Sequence, residues 1–253
     1  NQPETLRTWP ASVPGMTTAA PLHPFARLSD QYGARGVFIF VHACLLVWSI
    51  VCGFSQNSTM LIICRAMQGI GGGAFMPTSV TLLSNTYRPG PRKNLVFGLY
   101  GACGCLGFYL GILMAGVCAQ FINWSWFFWL GAICEAIVLI CGILTVPQTF
   151  GHGNSKIRMD WYGLLTIVPG LWLVIFALTD GGHAPDGWRS PRIYTTFTVG
   201  ALLLLAAVYV EGWVSKQPLL PAELFKVKYM RRVTFGLLCT YGGFGLFLFY
   251  GTF

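Results

Sequence analysis

Four stretches of this 253-residue sequence hold residues whose types and spacing could do chemistry. The first, ARLSDQYGAR, packs Arg27, Asp30 and Arg35 together in a chain that is only 9% charged. An Asp between two arginines in a short turn can pair with both and cap the helix that follows, and Gly33 beside it can take positive φ. Such a cluster would latch two helices together. A second reading leaves the charges only the task of fixing the chain's orientation in a membrane.

The second stretch is LIICRAMQGIGGGAFMP, Leu61 to Pro77. Arg65 lies about one turn inside an apolar segment, where a charge is costly and usually faces a bundle interior or an aqueous cavity. Gly69, Gly72 and Gly73 follow at helical spacing on the same face, so a neighbouring helix can approach closely. Gln68, one turn along, is a hydrogen-bond partner for the guanidinium. The competing reading is an arginine that snorkels to the membrane interface.

The third feature is the stripe Gly98, Gly101, Gly104, Gly107 and Gly111, which reads as a helix-crossing surface with a structural role. The fourth is Glu135, the only acidic residue deep in any apolar segment. A carboxyl there suits proton coupling or cation binding; equally, it can stay neutral and hydrogen-bond to a neighbouring helix. His42 reads as a lone histidine satisfied by packing. No catalytic triad, phosphate-binding loop or metal-ligand spacing is present, and the nine cysteines include no CxxC pair. The sequence therefore points away from an enzyme, a metal site, a cofactor or a disulfide framework.

These groups need elements to hold them, and the composition says which. The chain is 55% hydrophobic with a mean hydropathy of +0.61, far from an average soluble domain. A bilayer core takes about 20 apolar residues per helix. Seven segments qualify: Gly36–Phe54, Met60–Leu83, Leu95–Ile122, Trp126–Val146, Trp161–Leu178, Ile193–Val210 and Val233–Phe253. An eighth, Ser12–Ala26, carries Pro14, Pro21 and Pro24 and is expected to be a distorted helix. Nothing alternates with the strand period, so the expected class is all-α integral membrane with seven or eight transmembrane helices.

The net charge of +8 is spread over loops, which fits a membrane surface rather than nucleic acid. With the eight segments numbered in order, the odd junctions hold twelve of the 16 basic residues, so they are expected to be cytoplasmic. The last of these junctions has an apolar stripe at Leu220, Leu224 and Val227, which fits a surface-lying amphipathic helix or a solvated loop equally well. The chain lacks an initiator Met and ends inside an apolar segment, as a fragment would.

Taken together, the motifs resemble the major facilitator superfamily. ARLSDQYGAR is similar to the family signature between helices 2 and 3, with Leu28, Ser29, Asp30, Gly33 and Arg35 matching and Ala26, Gln31 and Ala34 departing from it. LIICRAMQGIGGG resembles the helix 4 motif, with Leu61, Arg65, Gln68 and Gly69 in place. LGFYLGI stands where drug–proton antiporters carry Gly-Pro-x-x-Gly-Gly; Gly107 and Gly111 match, whereas Phe108 and Ile112 do not. TWPAS, SNTYRPGPRKNLVFGLYGACGCLGFYLGI and MDWYGLLTIVPG look like the fungal fourteen-helix drug:proton antiporter group. Within it they are most similar to the aminotriazole-resistance branch, which includes boron exporters and low-affinity ammonium transporters.

The resemblance implies a partial major facilitator fold, helices 2 to 9 of fourteen. Residues 1–147 would be the remainder of the N-terminal six-helix half, 148–215 two extra linker helices, and 216–253 a cytoplasmic connection and the first helix of the C-terminal half. It further implies a proton-coupled exporter of small molecules or drugs in the plasma membrane, monomeric, working by alternating access. Leu28, Asp30, Gly33 and Arg35 would form a cytoplasmic gate. Arg65, Gln68 and Glu135 would serve proton coupling, and Gly69, Gly72, Gly107 and Gly111 helix packing. An uptake carrier for ammonium or another small solute, or a truncated protein that transports nothing, are the alternatives.

Overall fold

A computed structural model describes residues 9–148, 159–181, 187–215, 217–219 and 226–250. They form nine α-helices among the described residues: α1 (Trp9–Ala19), α2 (Leu22–Tyr32), α3 (Ala34–Gly53), α4 (Ser58–Thr86), α5 (Pro91–Val117), α6 (Trp124–Thr145), α7 (Trp161–Asp180), α8 (Pro191–Tyr209) and α9 (Met230–Tyr250). Six of them, α3 to α8, are long and apolar enough to cross a membrane. Much of their apolar surface is uncovered by protein: Leu144 is 78% exposed and Leu95 71%. Side chains like these belong against lipid. The chain is a multi-pass membrane protein of the all-α class.

Local chemistry explains where the helices start and stop. Pro91 opens α5 at a position where a missing N–H costs nothing. Asp160 caps α7, accepting a 3.1 Å bond from the Gly163 amide. Gly33 joins α2 to α3 at φ 96°, a left-handed backbone that other residues avoid. Wide π turns, Cys118–Ile122 and Val210–Val214, end α5 and α8.

The proline-rich start differs from the expected single distorted helix. Ser12–Ala26 is divided between α1 and α2, with the break at Ala20 and Pro21, and neither helix has the length to span a bilayer by itself. Pro14 is accommodated within α1, whereas Pro21 sits at the start of α2. The Val233–Phe253 segment and the stripe at Leu220 and Leu224 lie wholly or partly outside the described residues.

α4 is the hub. It packs on α1, α2 and α3, and α3 packs in turn on α6. The buried core is Val37, Val41, Leu45 and Ala74, with Phe25 and Phe75 against it. α7 and α8 pack chiefly on each other, and α7 also touches α1. α5 makes few contacts and buries none of its side chains.

Candidate functional site

The glycines of α4 set the site's back wall. A side chain at Gly69 would meet the Thr17 hydroxyl and, at 2.7 Å, the Pro14 carbonyl. At Gly73 it would meet the Thr18 carbonyl, and at Gly72 the Thr18 hydroxyl at 3.2 Å. The two backbones thus touch, and Thr18 Oγ1 donates to the Gly69 carbonyl at 3.0 Å across the crossing. Gly71 turns the other way, toward Leu45 of α3.

α3 and α6 run antiparallel along a second seam. Gly53 lies under Trp129 at one end, and Phe38 covers Gly142 at the other. Between them His42 Nδ1 stands 2.7 Å from Glu135 Oε2. Arg35 closes the seam by donating to the Ile143 carbonyl at 3.1 Å.

A cavity of about 620 Å³ opens where α1, α3, α4, α5 and α6 meet. Arg65, Gln68 and Gly69 line it from α4, Gly107 and Gly111 from α5, and Glu135 from α6. Pro14, Thr18, Leu45 and Ser49 add the α1 and α3 walls, and Phe127 and Phe128 part of the α6 wall. Six residues singled out in three separate sequence stretches therefore face one space. Arg65 Nη1 donates to Gln68 Oε1 at 3.4 Å, and its guanidinium lies 5.6 Å from the centre of the Phe128 ring. Gln68 Oε1 also accepts from the Cys52 thiol at 3.4 Å, while its Nε2 donates to Ser49 Oγ at 2.8 Å. Because α4 starts at Ser58, Arg65 sits about 10 Å along the helix axis, deeper than the one turn expected. An apolar cavity carrying a cation, an amide and a carboxyl can bind a small solute and change its protonation.

The remaining predicted residues lie elsewhere. Leu28 and Asp30 are on α2, with Gly33 and Arg35 at the α2–α3 turn. Among the described residues Asp30 has no ion-pair partner, although Arg27 and Arg35 are near it in sequence. Arg27 donates instead to the carbonyls of Gln217 and Pro218, the former at 2.9 Å, and Arg35 is engaged with Ile143. Nor does Asp30 cap α3, whose N-terminus has no side-chain cap. Asp30 is exposed at the end of α2; partial desolvation still raises its pKa, with the Arg27 charge pulling against that. Gly72 is at the α1–α4 crossing. The α5 stripe packs against nothing among the described residues: side chains at Gly98, Gly101, Gly104, Gly107 or Gly111 would find open space.

Sequence reasoning missed the role of His42. It is not satisfied by packing alone, being bonded to Glu135 as well as flanked by Phe38 and Phe75. A signal was present. His42 and Glu135 are lone ionisable residues within two apolar segments, and such residues usually find each other.

The family model described as Major Facilitator Superfamily matches residues 4–253. A low affinity ammonium transporter of Saccharomyces cerevisiae is 32% identical over 254 residues, covering 96% of this chain and 48% of that protein. An aminotriazole resistance protein of the same yeast is 31% identical over 231 residues, covering 88% and 42%. Efflux pump terJ of Aspergillus terreus is 30% identical over 262 residues, covering 99% and 49%. The chain spans about half the length of the relatives it matches.

Proposed function

Because the chain belongs to the major facilitator superfamily, we propose that it is part of a proton-coupled transporter that exports small molecules by alternating access. The observation that carries this reading is the cavity in which Arg65 and Glu135, a cation and a carboxyl from different helices, face the same space. Moving a proton to or from that carboxyl changes the charge the guanidinium sees, and a change of charge in an apolar cavity is large enough to bias a two-state helix arrangement. Gln68 holds Arg65 in place for this role.

In this proposal residues 1–147 are the remainder of one six-helix half, 148–215 the linker helices and 216–253 the entry to the second half. Leu28, Asp30, Gly33 and Arg35 form the cytoplasmic gate. The smooth glycine face of α5, with Gly107 and Gly111, is a pivot surface for the other half. The protein works as a monomer in the plasma membrane. Relatives named as an efflux pump and an aminotriazole resistance protein support export of drug-like solutes. The relative named as a low affinity ammonium transporter supports a second reading, uptake of a small solute.

The test is growth of a drug-sensitive yeast, lacking its own exporters, that carries the full-length protein or its Arg65→Ala variant. Resistance to aminotriazole, borate or a toxic ammonium analogue that Arg65→Ala abolishes at equal membrane abundance supports export. Sensitisation supports uptake. No change with any compound contradicts both readings for these solutes.

A further inference from the structure

The bond between His42 and Glu135 is short, and one of its ends is unusual. The His42 side chain is 6% exposed, and its second nitrogen, Nε2, has no hydrogen-bond partner among the described residues. The rings of Phe38 and Phe75 flank the imidazole, with centroids 4.2 and 6.1 Å away. A protonated Nε2 would therefore bury an unpartnered N–H donor among aromatic rings, a larger penalty than leaving a bare lone pair there. The favoured tautomer carries its proton on Nδ1 and donates it to Glu135 Oε2. That leaves Oε1 to take or release a proton. Glu135 reaches the cavity, being 27% exposed, whereas His42 does not line it.

We infer that His42 and Glu135 act as one unit that holds a single exchangeable proton, with His42 a neutral positioning residue and Glu135 Oε1 the atom that is protonated. This deepens the proton-coupled reading and rests on it only for the use the transporter makes of the proton. With the proton the pair is neutral; without it the pair carries one negative charge. Among the described residues the other charged group lining the cavity is Arg65 on α4, and the remaining titratable lining residue is Cys134 on α6. α1 and α5 contribute no titratable lining residue. α2, which packs on α3 outside the cavity, carries His23, Arg27, Asp30 and Tyr32. Arg65 is thus the group positioned to respond to the charge of the pair.

The experiment is carried out on the purified full-length protein in lipid, by infrared difference spectroscopy over a pH titration and nitrogen NMR of labelled histidine. A protonated-carboxyl band is expected on acidification and should vanish in Glu135→Gln. Its midpoint should move to higher pH by about one unit in His42→Phe, which deletes the donor, and return toward wild type in His42→Gln, which restores an N–H. In the wild type His42 should show a protonated Nδ1 and a bare Nε2, a result that depends on no variant folding. A band midpoint equal in wild type and His42→Phe, or a protonated Nε2, overturns the inference. Intact band and tautomer in a protein that moves solute without protons would overturn proton coupling and uphold the pair.

Discussion

Gln68 Nε2 donates to Ser49 Oγ at 2.8 Å, and through that bond the helix carrying Arg65 is tied to α3. The same Gln68 accepts from Arg65 and from Cys52, so one amide joins two helices and holds a charge. Ser49→Ala removes one neutral bond between helices and is expected to cost about 0.6 kcal/mol. Gln68→Leu removes an acceptor of the guanidinium as well and is expected to cost about 1–3 kcal/mol. Thermal unfolding of the two variants in detergent checks the order.

The α1–α4 crossing gives a graded prediction. Gly69→Ala and Gly73→Ala each drive a methyl group into α1, including the Pro14 or Thr18 carbonyl, and backbone cannot step aside cheaply. Each is expected to destabilise by about 1–3 kcal/mol. Gly71→Ala meets the Leu45 side chain, Cδ2 at 2.7 Å and Cγ at 2.8 Å, and should cost less because a side chain can shift where backbone cannot. The amount of folded, monodisperse protein recovered from membranes measures all three.

Much of this was legible beforehand. The helix content, the crossing at Gly69 and Gly72, and the inward-facing Arg65 follow from hydropathy, spacing and the cost of charge in lipid. The break at Pro21 was harder to place, since Pro14, Pro21 and Pro24 lie close together and any of them could end a helix. The partners of Arg27 were not legible at all, because the carbonyls of Gln217 and Pro218 are nearly two hundred residues away along the chain. Glycine spacing marked α5 for close packing, yet side chains at its glycines would meet nothing among the described residues. Spacing reports only that a face is smooth and leaves open what lies against it.

Asp30 gives the pH prediction. Desolvation raises its pKa above the usual 3.8, and Arg27 only partly offsets this. A carboxyl with a raised folded pKa supports the fold while protonated and loses that contribution as pH rises from about 3.8 through the raised value. Asp30→Asn should therefore be slightly more thermostable than wild type at pH 7, with the difference shrinking toward acid. A clear loss of stability at pH 7 would reveal an ion pair at Asp30, contrary to the geometry described.

Proton coupling is the central claim, and proton flux is its most direct measure. The full-length protein would be reconstituted into liposomes enclosing a pH-sensitive dye, with aminotriazole or ammonium added outside. The account predicts solute-dependent proton movement in wild type, at least about tenfold slower in Arg65→Ala, a rise of about 1.4 kcal/mol in the barrier. Solute movement at the wild-type rate with no accompanying proton movement would contradict it.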